Sequence, residues 1–147
     1  MNIGIFWLLG THQGQFQLLI SAEIESQISS LSSADQAEYL ESLGLKQSGL
    51  NKIIKSGYQT LSLITYFTSG EQETRAWTVT SGSKAPDAAG KIHSDFQSGF
   101  IRAETISYDD FVECDGEIKA KELGKMRSEG KEYVVQDGDV MHFLFNN

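Results

Sequence analysis

Two stretches limit what this chain can fold into: residues 92–106, Ile-His-Ser-Asp-Phe-Gln-Ser-Gly-Phe-Ile-Arg-Ala-Glu-Thr-Ile, and residues 131–145, Lys-Glu-Tyr-Val-Val-Gln-Asp-Gly-Asp-Val-Met-His-Phe-Leu-Phe. Both are rich in β-branched and aromatic residues. The second interrupts its apolar run with Asp137-Gly138, a pair suited to a tight turn that needs a positive φ. The pattern predicts a closing hairpin whose last arm, Val140 to Phe145, is a buried strand. With helical patterning upstream, it predicts a small α+β domain.

At 147 residues and 39% hydrophobic, the chain is long enough for a substantial core in one or two compact units. Its single cysteine, Cys114, excludes an intramolecular disulfide framework and a thiolate metal cluster, and points to a reducing, cytoplasmic setting. A formal charge of −8 opposes non-specific contact with nucleic acid or an anionic membrane, so any RNA contact has to be a local patch. The apolar run Ile3 to Leu9 is much shorter than the ~20 residues of a membrane span, and no cation precedes it. It reads as a buried strand or an extension, and no membrane partner is expected.

Phe16 to Ile20 reads as a strand feeding a helix that carries Ile24, Ile28 and Leu31. A second helix begins at a Ser33/Gln36 capping pattern and ends near Gly44. A third, capped by Ser48, places Leu50, Ile53, Ile54 and Tyr58 on one face. Beyond Leu61 the period shortens: Leu63 to Phe67 and Arg75 to Val79 bracket Ser69-Gly70 as a first hairpin. Pro86 opens a helix carrying Ala88, Ala89 and Ile92, and Phe100 to Ile106 is the next strand. Residues 107–130 read as short helices between loops. Two strands, a helix, a strand, an irregular excursion and a final hairpin make a β-grasp order.

Chemistry-bearing motifs are largely missing from the sequence. A phosphate-binding loop needs spaced glycines followed by Lys and Ser or Thr, whereas the Gly-Lys pairs at Gly90, Gly124 and Gly130 run into Ile92, Met126 and Glu132. His12, His93 and His142 lack the spacing of zinc ligands. His93 reads as a helix-end residue bonding the last carbonyls, and His142 as a half-buried strand histidine. Cys114 lies between Glu113 and Asp115, which disfavours a thiolate, and Asp109-Asp110 read as the start of a helix. No catalytic residue and no metal site are assigned.

Several segments together resemble the C-terminal part of the YchF-type Obg-like ATPases, a branch of the TRAFAC GTPase class. They are Leu-Ile-Thr-Tyr-Phe-Thr-Ser-Gly-Glu from Leu63, Arg-Ala-Trp-Thr from Arg75, Ala-Pro-Asp-Ala-Ala-Gly-Lys-Ile-His-Ser-Asp-Phe from Ala85, Gly-Phe-Ile-Arg-Ala-Glu from Gly99 and Glu-Gly-Lys-Glu-Tyr-Val-Val-Gln-Asp-Gly-Asp-Val from Glu129. The resemblance implies a TGS domain, a ubiquitin-like β-grasp module, over residues 61–147. It also implies a remnant of the ATPase domain with a short helical connector over 16–60, and it leaves 1–15 as an unassigned extension. Ser21 and Ala22 resemble the motif whose backbone approaches the nucleotide base. ATP and magnesium belong to the intact family; with no phosphate-binding loop in this sequence, the expectation is a truncated member with no cofactor of its own.

Three function classes follow. The first is a non-catalytic module that contacts the ribosome, RNA or a protein. Its candidate contacts are Lys119, Lys121, Lys125, Arg127 and Lys131, five cations in 13 residues, with Lys84, Lys91 and Arg102 as a second group. The alternative is part of a nucleoside triphosphatase whose catalytic domain lies outside this chain; the absent phosphate loop argues against catalysis by the chain itself. The third, a β-grasp carrier conjugating through a terminal Gly-Gly, does not suit the ending Phe145-Asn146-Asn147. Self-association through the N-terminal segment is a further expectation, because a lone apolar strand exposes unpaired edges.

Overall fold

The computed structural model describes Leu18, residues 20–70 and residues 73–146, which fall into two compact units divided between Thr60 and Leu61. The first is helical: α1 (Ala22–Ser29), α2 (Ser33–Ser42) and α3 (Gly49–Thr60). The strand expected over 16–20 lies outside the described residues except for Leu18 and Ile20, which belong to no strand.

Each of these helices starts where a side-chain oxygen can take a free N–H. Ser21 Oγ accepts from Ile24 N at the head of α1. The α2 cap is Ser32, one residue before the expected Ser33: its backbone is extended, and its hydroxyl accepts from Asp35 N at 3.3 Å while donating to the Asp35 carboxylate at 2.6 Å. Glu25 reaches across from α1 and accepts from Gly49 N at 2.6 Å and Leu50 N at 3.1 Å, while Ser48 Oγ accepts from Asn51 N. Gly49 is required there, because a Cβ would lie 2.8 Å from Ile20 Cγ2 and 2.9 Å from Glu25 Oε1.

The second unit is a mixed α+β structure around one five-stranded sheet. Its elements are β1 (Leu63–Ser69), β2 (Thr74–Thr80), α4 (Ala85–Ile92), α5 (Ser94–Ser98), β3 (Phe100–Ser107), α6 (Tyr108–Glu113), α7 (Glu117–Glu122), β4 (Arg127–Glu129) and β5 (Asp139–Phe145). The strand order is β2-β1-β5-β3-β4; β5 runs parallel to β1 and antiparallel to β3. The first hairpin is as expected, with Leu63 opposite Thr80 and Phe67 opposite Ala76.

The closing hairpin is not. Residues 131–136 do not pair with β5. Instead Lys84 and Val134 form an isolated bridge, Val135 N donates to Ser83 O and Ala85 N to Tyr133 O, which ties this segment to the start of α4. The turn itself forms, with Gly138 at φ +86. It serves β1: Asp137 Oδ1 accepts from Thr65 N at 2.8 Å, and Gly138 N donates to Thr65 O at 2.8 Å. A strand with Met141 and Phe143 buried on one face and Val140 on the other gains more from two neighbours than from one hairpin partner.

The sheet presents its two faces to different helices, as the alternation of side chains requires. Tyr66, Val79, Ala103, Met141 and Phe143 pack with Ala85, Ala88 and Ala89 of α4. The small alanines let the helix lie close to the sheet, and the Tyr66 hydroxyl donates to Ala88 O at 2.7 Å. Burial pushes that hydroxyl's pKa upward. On the opposite face, Ile106 meets Cys114 and Ala120 from the α6–α7 excursion, with Phe111 and Met126 alongside.

Candidate interaction surface

The lysines and arginines singled out in the sequence are distributed over both sides of the sheet. Arg127 stands opposite Thr105 in the β3–β4 register and so shares the α4 side with Ala103. There its guanidinium lies 3.6 Å from Asp139, donates to Tyr133 OH at 3.1 Å and pairs with Glu129 at 3.1 Å. Asp139 is only 2% exposed, and it also accepts from Tyr133 OH at 2.7 Å and Gln136 N at 2.9 Å. Burial, then the Asp139 bond, pushes the Tyr133 hydroxyl's pKa upward. Arg127 therefore neutralises a buried carboxylate, a structural role it holds beside its reading as a candidate RNA or ribosome contact.

Lys125, two residues earlier, serves the other side. Its ammonium pairs with Asp110 at 2.9 Å, joining the end of the excursion to the head of α6. Ser107, the α6 cap, donates to the same carboxylate at 2.7 Å. The Ser107 bond first, then Lys125, hold Asp110 below the ordinary carboxylate range, and the Asp110 bond holds Lys125 above the ordinary lysine range. Lys119 pairs with Asp115 one helical turn away at 3.0 Å.

Two members of the second candidate group are similarly committed. Lys84 donates to Glu132 at 2.5 Å, and that hydrogen bond raises its pKa. Arg102 pairs with Glu104 at 3.5 Å on the face opposite Ala103. Among the described residues, Lys91, Lys121 and Lys131 are the candidates with no carboxylate partner, and they stand on α4, on α7 and in the β4–β5 connection. The structure thus does not gather the eight cations into one patch.

Ser21 and Ala22 begin α1, with the Ser21 hydroxyl occupied as a cap. Ser21, but not Ala22, borders a cleft of about 280 Å³ whose other walls include Ile24, Glu25, Gln47 and Lys52. His93 bridges α4 and α5, but its Nδ1 accepts from Asp95 N at 3.2 Å where bonding to the preceding carbonyls was expected. His142 is exposed on β5, more open than the half-buried reading. Cys114 is buried as a small apolar side chain in the α6–α7 core.

Sequence reasoning missed the apolar surface of the excursion. Tyr108, Val112, Ile118 and Leu123 are 52%, 57%, 77% and 67% exposed, although the excursion already has its own core. The available signal was apolar residues at these four positions in a charged segment, left over once the inward set of Phe111, Cys114, Ala120 and Met126 is assigned.

Residues 63–146 match the family model YchF-GTPase_C, described as a protein of unknown function (DUF933). The chain belongs to the YchF family. Among relatives, it is 51% identical over 138 residues to the ribosome-binding ATPase YchF of Escherichia coli O157:H7, covering 94% of this chain and 38% of that protein. It is 57% identical over 129 residues to the ribosome-binding ATPase YchF of Bacillus subtilis, covering 88% and 35%. It thus spans little more than a third of the length of these YchF relatives. The solved YchF GTPase of Schizosaccharomyces pombe superposes with a TM-score of 0.75 at 39% identity, over 85% of this chain and 33% of that one. Among the described residues no helix is long and apolar enough to cross a membrane.

Proposed function

We propose that this chain is a non-catalytic YchF module through which the protein engages the ribosome, and that residues 61–147 are its TGS domain of β-grasp type. The observation that carries the reading is its kinship with ribosome-binding ATPases over a segment with no phosphate-binding loop in its sequence. The β-grasp assignment draws support from the strand order, with β5 parallel to β1 at the sheet's centre and α4 packed across one face. Residues 16–60 are the remnant of the ATPase domain with its helical connector, and Ser21 and Ala22 of this remnant face the nucleotide in the intact protein. The setting is cytoplasmic.

Without a loop of backbone N–H groups and a lysine to cradle a triphosphate, the chain has nothing to hold ATP with magnesium. Its contribution is a surface. The test pairs two measurements on the full chain. Co-sedimentation with bacterial ribosomes at low salt is expected to carry the chain into the pellet, and calorimetry with ATP and magnesium is expected to give no saturable heat. A chain that stays in the supernatant overturns the ribosome contact, and micromolar magnesium-dependent binding overturns the non-catalytic reading.

A further inference from the structure

The α6–α7 excursion carries a contact surface of unusual make-up for something that meets the ribosome. Residues 108–125 hold six acidic side chains against Lys119, Lys121 and Lys125, a formal balance of −3. Two of those lysines are already paired, Lys119 with Asp115 and Lys125 with Asp110. Phosphate contact draws its affinity from cations that displace counterions, and here only Lys121 is left for that purpose. A nucleic-acid backbone is therefore repelled by this surface.

Its apolar side chains need a different partner. Ile118 and Leu123 are 77% and 67% exposed, and the inward positions of the excursion are filled by Phe111 and Cys114 from α6 and its end and by Ala120 from α7. The outward pair adds nothing to that core. On α6, Tyr108 and Val112 are one helical turn apart and both more than half exposed. Interfaces that bury such anchors inside a charged rim use the anchors for affinity and the rim for orientation and encounter rate.

We infer that the α6–α7 excursion docks on a basic protein surface that offers an apolar pocket, with Ile118 and Leu123 as anchors and the acidic rim steering the approach. This rests on the ribosome reading above and names protein, not RNA, as the partner class at this site. The carboxylates complement a basic protein, whereas a second copy of this acidic chain or an anionic lipid surface would meet like charge.

The test is co-sedimentation of the full chain with intact ribosomes, comparing the parent with an Ile118→Asp/Leu123→Asp variant and with Lys121→Glu. The aspartate pair is expected to weaken binding at least tenfold, and Lys121→Glu to change it less than threefold. Both sites are exposed, so matched thermal midpoints are expected, and Ile118→Ser/Leu123→Ser provides a second, uncharged version. Binding by both double variants equal to the parent's, or a large loss with Lys121→Glu alone, overturns the inference while leaving ribosome contact intact. No sedimentation of the parent overturns both readings together.

Discussion

The two faces of the sheet are built on different terms. On the α4 side, Tyr66, Ala85, Ala88, Ala89 and Ala103 are fully buried, the Tyr66 hydroxyl is bonded while the buried Thr105 hydroxyl is not, and Asp139, the one buried carboxylate among the described residues, has Arg127, Tyr133 and Gln136 around it. On the α6–α7 side a small cluster of Ile106, Cys114 and Ala120 holds the excursion down while four large apolar residues face outward. The difference separates tasks: one side carries the stability, and the other can vary its outward residues at little cost to the fold.

The largest effects should fall on the α4 side. Tyr66→Ala removes a fully buried ring and its bond to Ala88, and is expected to cost about 3–5 kcal/mol in denaturant unfolding. Asp139→Ala leaves Tyr133 OH and Gln136 N without their acceptor and Arg127 beside no buried charge, for a loss of about 3 kcal/mol. Either change leaving the denaturation midpoint in place would break the comparison.

Gly138→Val comes next. The turn needs φ +86, and a Cβ there would meet Tyr108 Cβ at 3.4 Å, so a loss of about 1–3 kcal/mol is expected from the same unfolding curves.

How much of this could be read from the sequence follows the range of each interaction. The first hairpin, the Pro86 helix and the Ser107 start of α6 rest on signals a few residues long, and they are where the sequence places them. The partner of β5 was not legible, because Asp137-Gly138 specifies that the chain turns and not which strand, 72 positions away in the case of Thr65, receives the turn's hydrogen bonds. The same limit explains Arg127. Its charge was visible, but the buried carboxylate it answers is set by the pairing of β4 and β5 with β3. Lysine clustering in sequence likewise concealed that Lys125 and Arg127 serve opposite sides of the sheet.

On the excursion side the effects should be small. Ile118→Ser and Leu123→Ser are each expected to shift stability by no more than about 0.5 kcal/mol, a contrast with Tyr66→Ala that thermal melts can resolve. Asp110 gives the smallest and most specific signature. Its folded pKa is depressed, so its contribution is present above the ordinary carboxylate value and is lost as pH falls through the folded value. Asp110→Asn removes that contribution, so the stability gap between parent and variant should be constant near neutrality and close on acidification below about pH 4. A gap that instead widened in acid would contradict the pairing with Ser107 and Lys125.

The most direct test of the division between the two faces is amide hydrogen exchange of the full chain with and without bacterial ribosomes. The account predicts new protection concentrated in residues 108–126, with the amides of β1, β5 and α4 unchanged. Protection that appears on α4 and the β4–β5 connection, with the excursion exchanging as freely as before, would contradict it.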